Sequence, residues 1–268
     1  MRHPGYPQDF VQAVFADAVA SGARVYGIAG LQGTGKSTLS AQVAALAANQ
    51  GRHVAVLSID DFYLDHDQRR QLARDVHPLL ATRGPPGTHD LALAGDTVDA
   101  LRNGRAAHLP RFDKIDDRQL PRAAWPLCAQ ADLVILEGWF LKTPPQPPAA
   151  LVAPVNALER DEDPDGDWRH YCNAALASDY PPLWRQIDRL LFLQGPGFEV
   201  VPDWRWQQEQ TLQASEPARR AMTRAQVERF VQFFERVSRQ ALATLPGIAE
   251  RSVLLDAARV PATSPPRS

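Results

Sequence analysis

Gly30-Leu31-Gln32-Gly33-Thr34-Gly35-Lys36-Ser37 is the stretch on which the reading of this chain turns. It satisfies G-x-x-x-x-G-K-[ST]. RVYGIAG (24–30) ahead of it is a short β-prone run, and the alanine-rich stretch 37–50 behind it reads as a helix closed by Gly51. A strand, a glycine-rich turn and a helix in that order let backbone N–H groups curl around phosphate oxygens at the positive end of the helix. In such a loop Lys36 reaches the outer phosphates and the Ser37 hydroxyl is placed to ligate Mg²⁺. Gly30, Gly33, Thr34, Gly35, Lys36, Ser37 and Thr38 are therefore the expected nucleotide-phosphate set. Lys36 is one of three lysines, with Lys114 and Lys142, in a chain whose basic charge is otherwise arginine.

Working outward, HVAVLSID (53–60), ADLVILEGW (131–139), DRLLFLQ (188–194) and SVLLD (252–256) read as further strands. Residues 131–139 are apolar on both faces, as a central parallel strand requires. Residues 90–103 form a moderately amphipathic helix ended by Asn103-Gly104, and a long helical pattern runs from about 203 to 244. Strands alternating with helices predict an α/β protein of the P-loop NTPase fold, a parallel β-sheet with helices on both faces. A chain of 268 residues, 44% apolar, suits one domain. Its core is expected over about 24–256, with 257–268 as a frayed tail. TPPQPPAALVAP (143–154) is expected to be an exposed proline-rich loop.

Composition narrows the classes of function. Twenty-nine basic and thirty-one acidic residues leave a net charge of −2, which gives no support to nucleic acid or anionic membrane as a partner held by bulk charge. The first twenty residues lack a secretory apolar region, and no apolar run approaches the roughly 18 residues of a membrane span. Two cysteines, Cys128 and Cys172, make no disulfide framework or zinc cluster. The expectation is a cytoplasmic protein whose partners are small molecules; oligomeric state is left open. DEDPDGD (161–167) matches positions 1, 3, 5 and 6 of an EF-hand loop, but Cys172 stands where the bidentate Glu belongs and Pro164 lies inside. It is read as a solvated acidic loop.

Three carboxylates stand where chemistry is expected. Asp60 and Asp61 follow the second strand in SIDDFYL (58–64), and ligands in open α/β sheets bind beyond the carboxyl ends of strands. A carboxylate there can accept the proton of an attacking hydroxyl or help hold Mg²⁺; capping a helix is the plainer alternative. Glu137 ends the third strand, where an acidic residue orients Mg²⁺, often through water.

GLQGTGKSTL (30–39), SIDDFYL (58–64), RGPPGTHDL (83–91), LPRFDK (109–114), LEGWFL (136–141) and a later segment with Trp204, Arg205, Gln208 and Glu209 occur in one order. Together they resemble the P-loop kinases of small metabolites, the group with uridine kinase, phosphoribulokinase and pantothenate kinase. Within it they resemble the plant- and fungal-type D-glycerate 3-kinases most. The resemblance implies ATP and Mg²⁺ as cofactors and transfer of phosphate to D-glycerate, giving 3-phosphoglycerate. It places Asp60 at the catalytic base and Arg205 on a lid over the transferring group, with Lys36 on the phosphates and Ser37 and Glu137 at the metal. It puts Asp90, with His89, Arg111 and Lys114, at the acceptor pocket; Phe112 replaces a tyrosine common there. A carboxylate with two hydroxyls needs cationic or N–H donors as well as acceptors, and Arg83, His89, Arg111 and Lys114 qualify as the donors. A nucleoside or pantothenate kinase, or a P-loop ATP-binding protein without kinase activity, are the alternatives. Trp204 and Trp206 fall on different sides of a helix, which predicts packing and lid contact rather than base stacking. Arg219, Arg220 and Arg224 read as surface arginines.

Overall fold

The computed structural model of the protein describes residues 5–215 and 221–262. Helix α1 (Gln8–Ala20) precedes strand β1 (Val25–Gly30), and the glycine-rich turn leads into helix α2 (Lys36–Ala48). Strand β2 (Val54–Ser58), a 3-10 turn (Ile59–Asp61) and helices α3 (His66–Asp75) and α4 (Leu91–Arg102) follow. Next come four two-residue strands, β3 (Ala107–His108), β4 (Phe112–Asp113), β5 (Arg118–Gln119) and β6 (Leu127–Cys128). They form nested antiparallel ladders, β3 with β6 and β4 with β5. After strand β7 (Leu133–Gly138) lie helices α5 (Ala157–Glu162), α6 (Asp167–Ser178) and α7 (Pro181–Trp184). Strand β8 (Arg189–Gln194), helices α8 (Val201–Ser215) and α9 (Arg224–Thr244) and strand β9 (Arg251–Leu254) complete the order.

Five strands make one sheet in the order β2-β7-β1-β8-β9, every pair parallel. Period-two alternation divides its side chains between two cores. Val25, Ala29, Val134, Leu136, Leu190 and Phe192 face one way, towards buried residues of α4, α6, α7 and α9. Tyr26, Ile28, Leu133, Ile135, Leu191 and Leu193 face the other, towards α1 and α2. Helices therefore cover both faces, as predicted. Register then sets the site: Glu137 is level with both Ile28 and Ser58. Two residues past Ile28 the glycine-rich turn begins at Gly30, and two past Ser58 stands Asp60. One edge of the sheet thus collects all three motifs.

Three local expectations are corrected. The helical pattern across 203–244 is two helices, α8 and α9, the second opened by a Thr223–Gln226 capping box. The tail is not frayed from 257 onward. Ala257 O accepts from Trp204 Nε1, Arg259 Nε donates to Gly33 O, and Leu255 bridges Pro261. A turn through 262 is thereby fastened to the phosphate-binding loop, and residues 263–268 lie outside the described residues. The proline-rich stretch is an exposed loop, as expected, and is gripped from below: buried Arg236 donates to Ala150 O and Ala153 O and pairs bidentately with buried Glu159, while Arg169 donates to Leu151 O and Val152 O. The acidic loop is not all solvated, because Asp163 is buried, accepts from Trp168 N and pairs with Arg169 at 2.9 Å. Sequence shows only the composition of such stretches; their carbonyls and carboxylates are claimed by Arg169 of α6 and Arg236 of distant α9. Arg219 and Arg220 lie outside the described residues, and Arg224 pairs at the surface with Asp203 and Glu228.

Candidate active site

The loop after β1 turns on glycines that no other residue replaces without strain. Gly33 has φ +84, and a Cβ there would sit 2.6 Å from Trp204 Cβ. Gly35, at φ +89, caps α2. The loop closes on the Leu31 carbonyl, which accepts from Thr34 N (3.3 Å), Thr34 Oγ1 (2.9 Å) and Lys36 Nζ (3.0 Å). It is braced from outside by Tyr6 Oη on Thr34 O and by Arg259 on Gly33 O. Ser37 Oγ donates to Glu137 Oε1 at 2.8 Å, bringing the hydroxyl and the strand-end carboxylate together across 100 residues. Lys36 is buried, and that desolvation lowers its pKa against the opposing pull of Glu137 and Asp60.

Facing this group is a second set of charges. Asp60 Oδ2 accepts from Lys114 Nζ at 3.0 Å and Oδ1 from Tyr63 Oη at 2.6 Å. Burial pushes the Asp60 carboxyl up, but the Lys114 ammonium and these hydrogen bonds outweigh it and hold the group well below the usual carboxylate range. Lys114 moves the other way, because Asp60 more than offsets its desolvation and raises it. Asp61 accepts from Arg111 Nη1 (3.4 Å) and Phe112 N (3.3 Å), and burial raises its pKa despite Arg111. The β4–β5 hairpin is thus seated over the sheet edge by two carboxylate–cation pairs, Asp60 with Lys114 and Asp61 with Arg111. Its far end is clamped by Asp117, which fully buried Arg69 (2.7 Å) and Arg83 both engage. Arg83 also donates to Lys114 O, so this arginine supports the hairpin.

His89 lies beside Tyr63, with ring centroids 4.8 Å apart, and is buried. Burial pushes its pKa down to about 4 although Asp60 pulls it up. It is a neutral hydrogen-bonding group, not the cation that sequence allowed. Asp90 caps α4, its Oδ1 accepting from Leu93 N at 2.9 Å; the capping role weighed for Asp60 and Asp61 belongs to this aspartate. Arg205, on α8, pairs with Glu209 at 3.1 Å and lies 5.9 Å from the Phe230 ring. Trp204 is buried against Gly33 of the loop and Gly195 after β8, and half-buried Trp206 packs with the Leu31 cluster. Tyr63, Asp117, Arg69, Tyr180, Tyr6 and Arg259 were not foreseen. Only Tyr63 had a signal, standing three residues after Asp60 within one quoted motif.

Ser37 and Glu137 offer hard oxygen donors at hydrogen-bond distance, the chemistry that suits Mg²⁺, which takes few protein ligands beside substrate phosphates. The strand–loop–helix unit, with Lys114, Arg111 and the strand-end carboxylates facing it, defines a P-loop kinase of small molecules. A family model described as methylmalonyl Co-A mutase-associated GTPase MeaB matches residues 2–62, a stretch that includes the phosphate-binding loop. The chain is 31% identical over 203 residues to "Uncharacterized kinase mug58" of Schizosaccharomyces pombe, covering 71% of each protein. It is 29% identical over 201 residues to the chloroplastic D-glycerate 3-kinase of Arabidopsis thaliana, covering 69% of this chain and 41% of the plant protein's length. D-glycerate 3-kinase from Cryptococcus neoformans superposes with a TM-score of 0.73 at 26% identity over 95% of both chains. The chain belongs to this glycerate-kinase family of P-loop kinases, and it is an ATP-dependent phosphotransferase. Among the described residues no helix is long and apolar enough to cross a membrane.

Proposed function

We propose that the protein phosphorylates D-glycerate at its 3-hydroxyl with ATP, the chain acting as a single kinase domain. The observation that carries this reading is the Asp60–Lys114 pair, at 3.0 Å, facing the Lys36–Ser37–Glu137 group. It sets a hydroxyl-orienting carboxylate and a cation side by side at the mouth of a phosphate-binding loop. An acceptor that is both an alcohol and an anion needs both.

The loop amides and Lys36 bind the β- and γ-phosphates, and the ammonium gains back in the phosphates' field what burial costs it. Ser37 and Glu137 would hold Mg²⁺, which when bound neutralises charge on the phosphate oxygens. Asp60, kept ionised by Lys114, accepts a hydrogen bond from the acceptor hydroxyl and aims it; each carboxylate oxygen has a lone pair beyond those used by Tyr63 and Lys114. So low a proton affinity favours orientation over outright abstraction. Arg111, whose Nη1 serves Asp61 and Pro110 O, and Lys114 offer their remaining N–H groups to the substrate carboxylate. Asp90 and His89 border the remaining hydroxyl, and Arg205 turns from Glu209 towards the transferring phosphoryl group. Positioning and electrostatics supply the acceleration.

The test is ADP release with and without a panel of acceptors, the products read by mass spectrometry and their position of phosphorylation by ³¹P NMR. D-glycerate is expected to drive ADP release and yield 3-phosphoglycerate. Preference for a nucleoside, pantothenate or a neutral polyol would overturn the acceptor, and ADP release indifferent to any acceptor would overturn the transfer itself.

A further inference from the structure

His89 carries an anomaly: its Nε2 is buried and has no hydrogen-bond partner. The other ring nitrogen, Nδ1, lies 2.7 Å from Tyr180 Oη, so Nε2 is on the ring edge turned away from Tyr180. Tyr180 is itself fully buried, and its oxygen accepts from Gly87 N at 3.0 Å. Buried polar atoms without partners are rare, and each one asks for an explanation.

The proton between Tyr180 and His89 has two possible owners, and counting orphans decides between them. If Nδ1–H donates to Oη, the phenol accepts two N–H groups while its own hydrogen finds no acceptor, and Nε2 is left as a bare lone pair. That arrangement buries two unsatisfied groups. If the phenol donates to Nδ1, Gly87 N–H and the Tyr180 hydroxyl are both satisfied, and the single group left over is Nε2–H. Leaving a buried donor or acceptor unmade is the expensive side of hydrogen bonding, so the second arrangement prevails. Burial also keeps the imidazole neutral and the phenol protonated. Gly87, fixed at φ +91 with the Tyr171 ring against its Cα, delivers its N–H to Tyr180 from a conformation only glycine adopts without strain.

We infer that Tyr180 is a positioning residue that locks His89 as the Nε2–H tautomer, and that this N–H donates to an oxygen of the acceptor molecule beside Asp60. The inference rests on the acceptor site proposed above and deepens it. Asp60 supplies an acceptor for one substrate hydroxyl, whereas His89 supplies a neutral donor that asks for an oxygen lone pair. A small hydroxy acid presents both kinds of group. A neutral donor also adds no charge to a site whose cations are already paired.

The experiment reads the tautomer directly. Imidazole ¹⁵N spectra of the full-length protein are recorded without substrate and then with saturating D-glycerate, or with whichever acceptor the wild type phosphorylates. Nδ1 is expected to show the shift of an unprotonated acceptor and Nε2 that of a protonated nitrogen, and Nε2–H should move on acceptor binding. Tyr180→Phe should give a mixture of tautomers and raise KM for the acceptor about tenfold, the worth of one hydrogen bond lost in a desolvated site, with KM for ATP unmoved. His89→Gln, which keeps an amide N–H near the Nε2 position, should retain most acceptor affinity, and His89→Asn, which reaches only the Nδ1 position, should not. A protonated Nδ1, an Nε2–H indifferent to acceptor, or equal losses in the Gln and Asn variants would overturn the inference. Failure of the wild type to phosphorylate D-glycerate would instead defeat the substrate assignment, since the tautomer is read without it.

Discussion

Two lysines sum up the two halves of the site. Lys36, on the phosphate side, is buried and pushed towards losing its proton by desolvation; Lys114, on the acceptor side, is half exposed and holds its proton more firmly because Asp60 sits against it. The phosphate side is built to gain from an incoming polyanion. The acceptor side is already balanced, carboxylate against cation, so it reads a small anion through placed N–H groups rather than through a large excess of positive charge. An active site that must bring two anions together cannot leave both halves strongly positive without trapping a second nucleotide, nor both negative without repelling its substrates.

The hardest way to break this contrast is Lys36→Ala. With its ammonium gone from the phosphates, kcat should fall by about a thousandfold or more while thermal unfolding stays near that of the wild type, since a desolvated cation adds little to the fold. Turnover retained in a folded variant would remove the phosphate side from the mechanism.

Asp60→Asn should cost about a hundredfold to ten-thousandfold in kcat, with ATP affinity little changed. Asp61→Asn should act more gently and on KM for the acceptor, because Asp61 holds Arg111 and the hairpin rather than the reacting hydroxyl. Steady-state kinetics on the pair decides; the reverse pattern would exchange their roles.

Lys114→Ala and Arg111→Ala should each raise KM for D-glycerate tenfold or more, equivalent to about 1.4 kcal/mol, and leave KM for ATP nearly still. Glycerol, lacking the carboxylate, should be a poor substrate that loses little further. Equal losses on glycerate and glycerol would show that the hairpin shapes the pocket without reading the carboxylate.

The last effect is on stability and leaves turnover at neutral pH untouched. His89 has a folded-state pKa of about 4, below the ordinary value near 6.5, so the unfolded chain binds more protons between these limits. Its contribution is complete above pH 6.5 and is lost as pH falls towards 4, by roughly 3 kcal/mol at most. Denaturant unfolding across that range should show the slope in the wild type and a flatter line in His89→Gln. Asp60, with a lowered pKa, gives up its share only below the ordinary carboxylate range, so the two are separable.

The chain by itself determined the sheet, the phosphate-binding loop and the carboxylates at the strand ends. Glycine spacing, apolar strands and the helix that follows are contiguous, and short-range sterics and hydrophobic periodicity suffice to read them. Parallel register then carried Gly30, Asp60 and Glu137 to one edge without any further signal. What only the tertiary structure decided is which charges meet. Asp60 finds Lys114 across 54 residues, Asp61 finds Arg111 across 50, and His89 finds Tyr180 across 91. Composition showed Arg83 and His89 as two more basic groups for the acceptor. Packing spent the first on Asp117 and desolvated the second to neutrality. The same holds for the C-terminal turn, whose Arg259 gives no local sign that it reaches Gly33 across 226 residues. A side chain's partner and its solvation are properties of the folded surroundings, and a linear pattern carries neither.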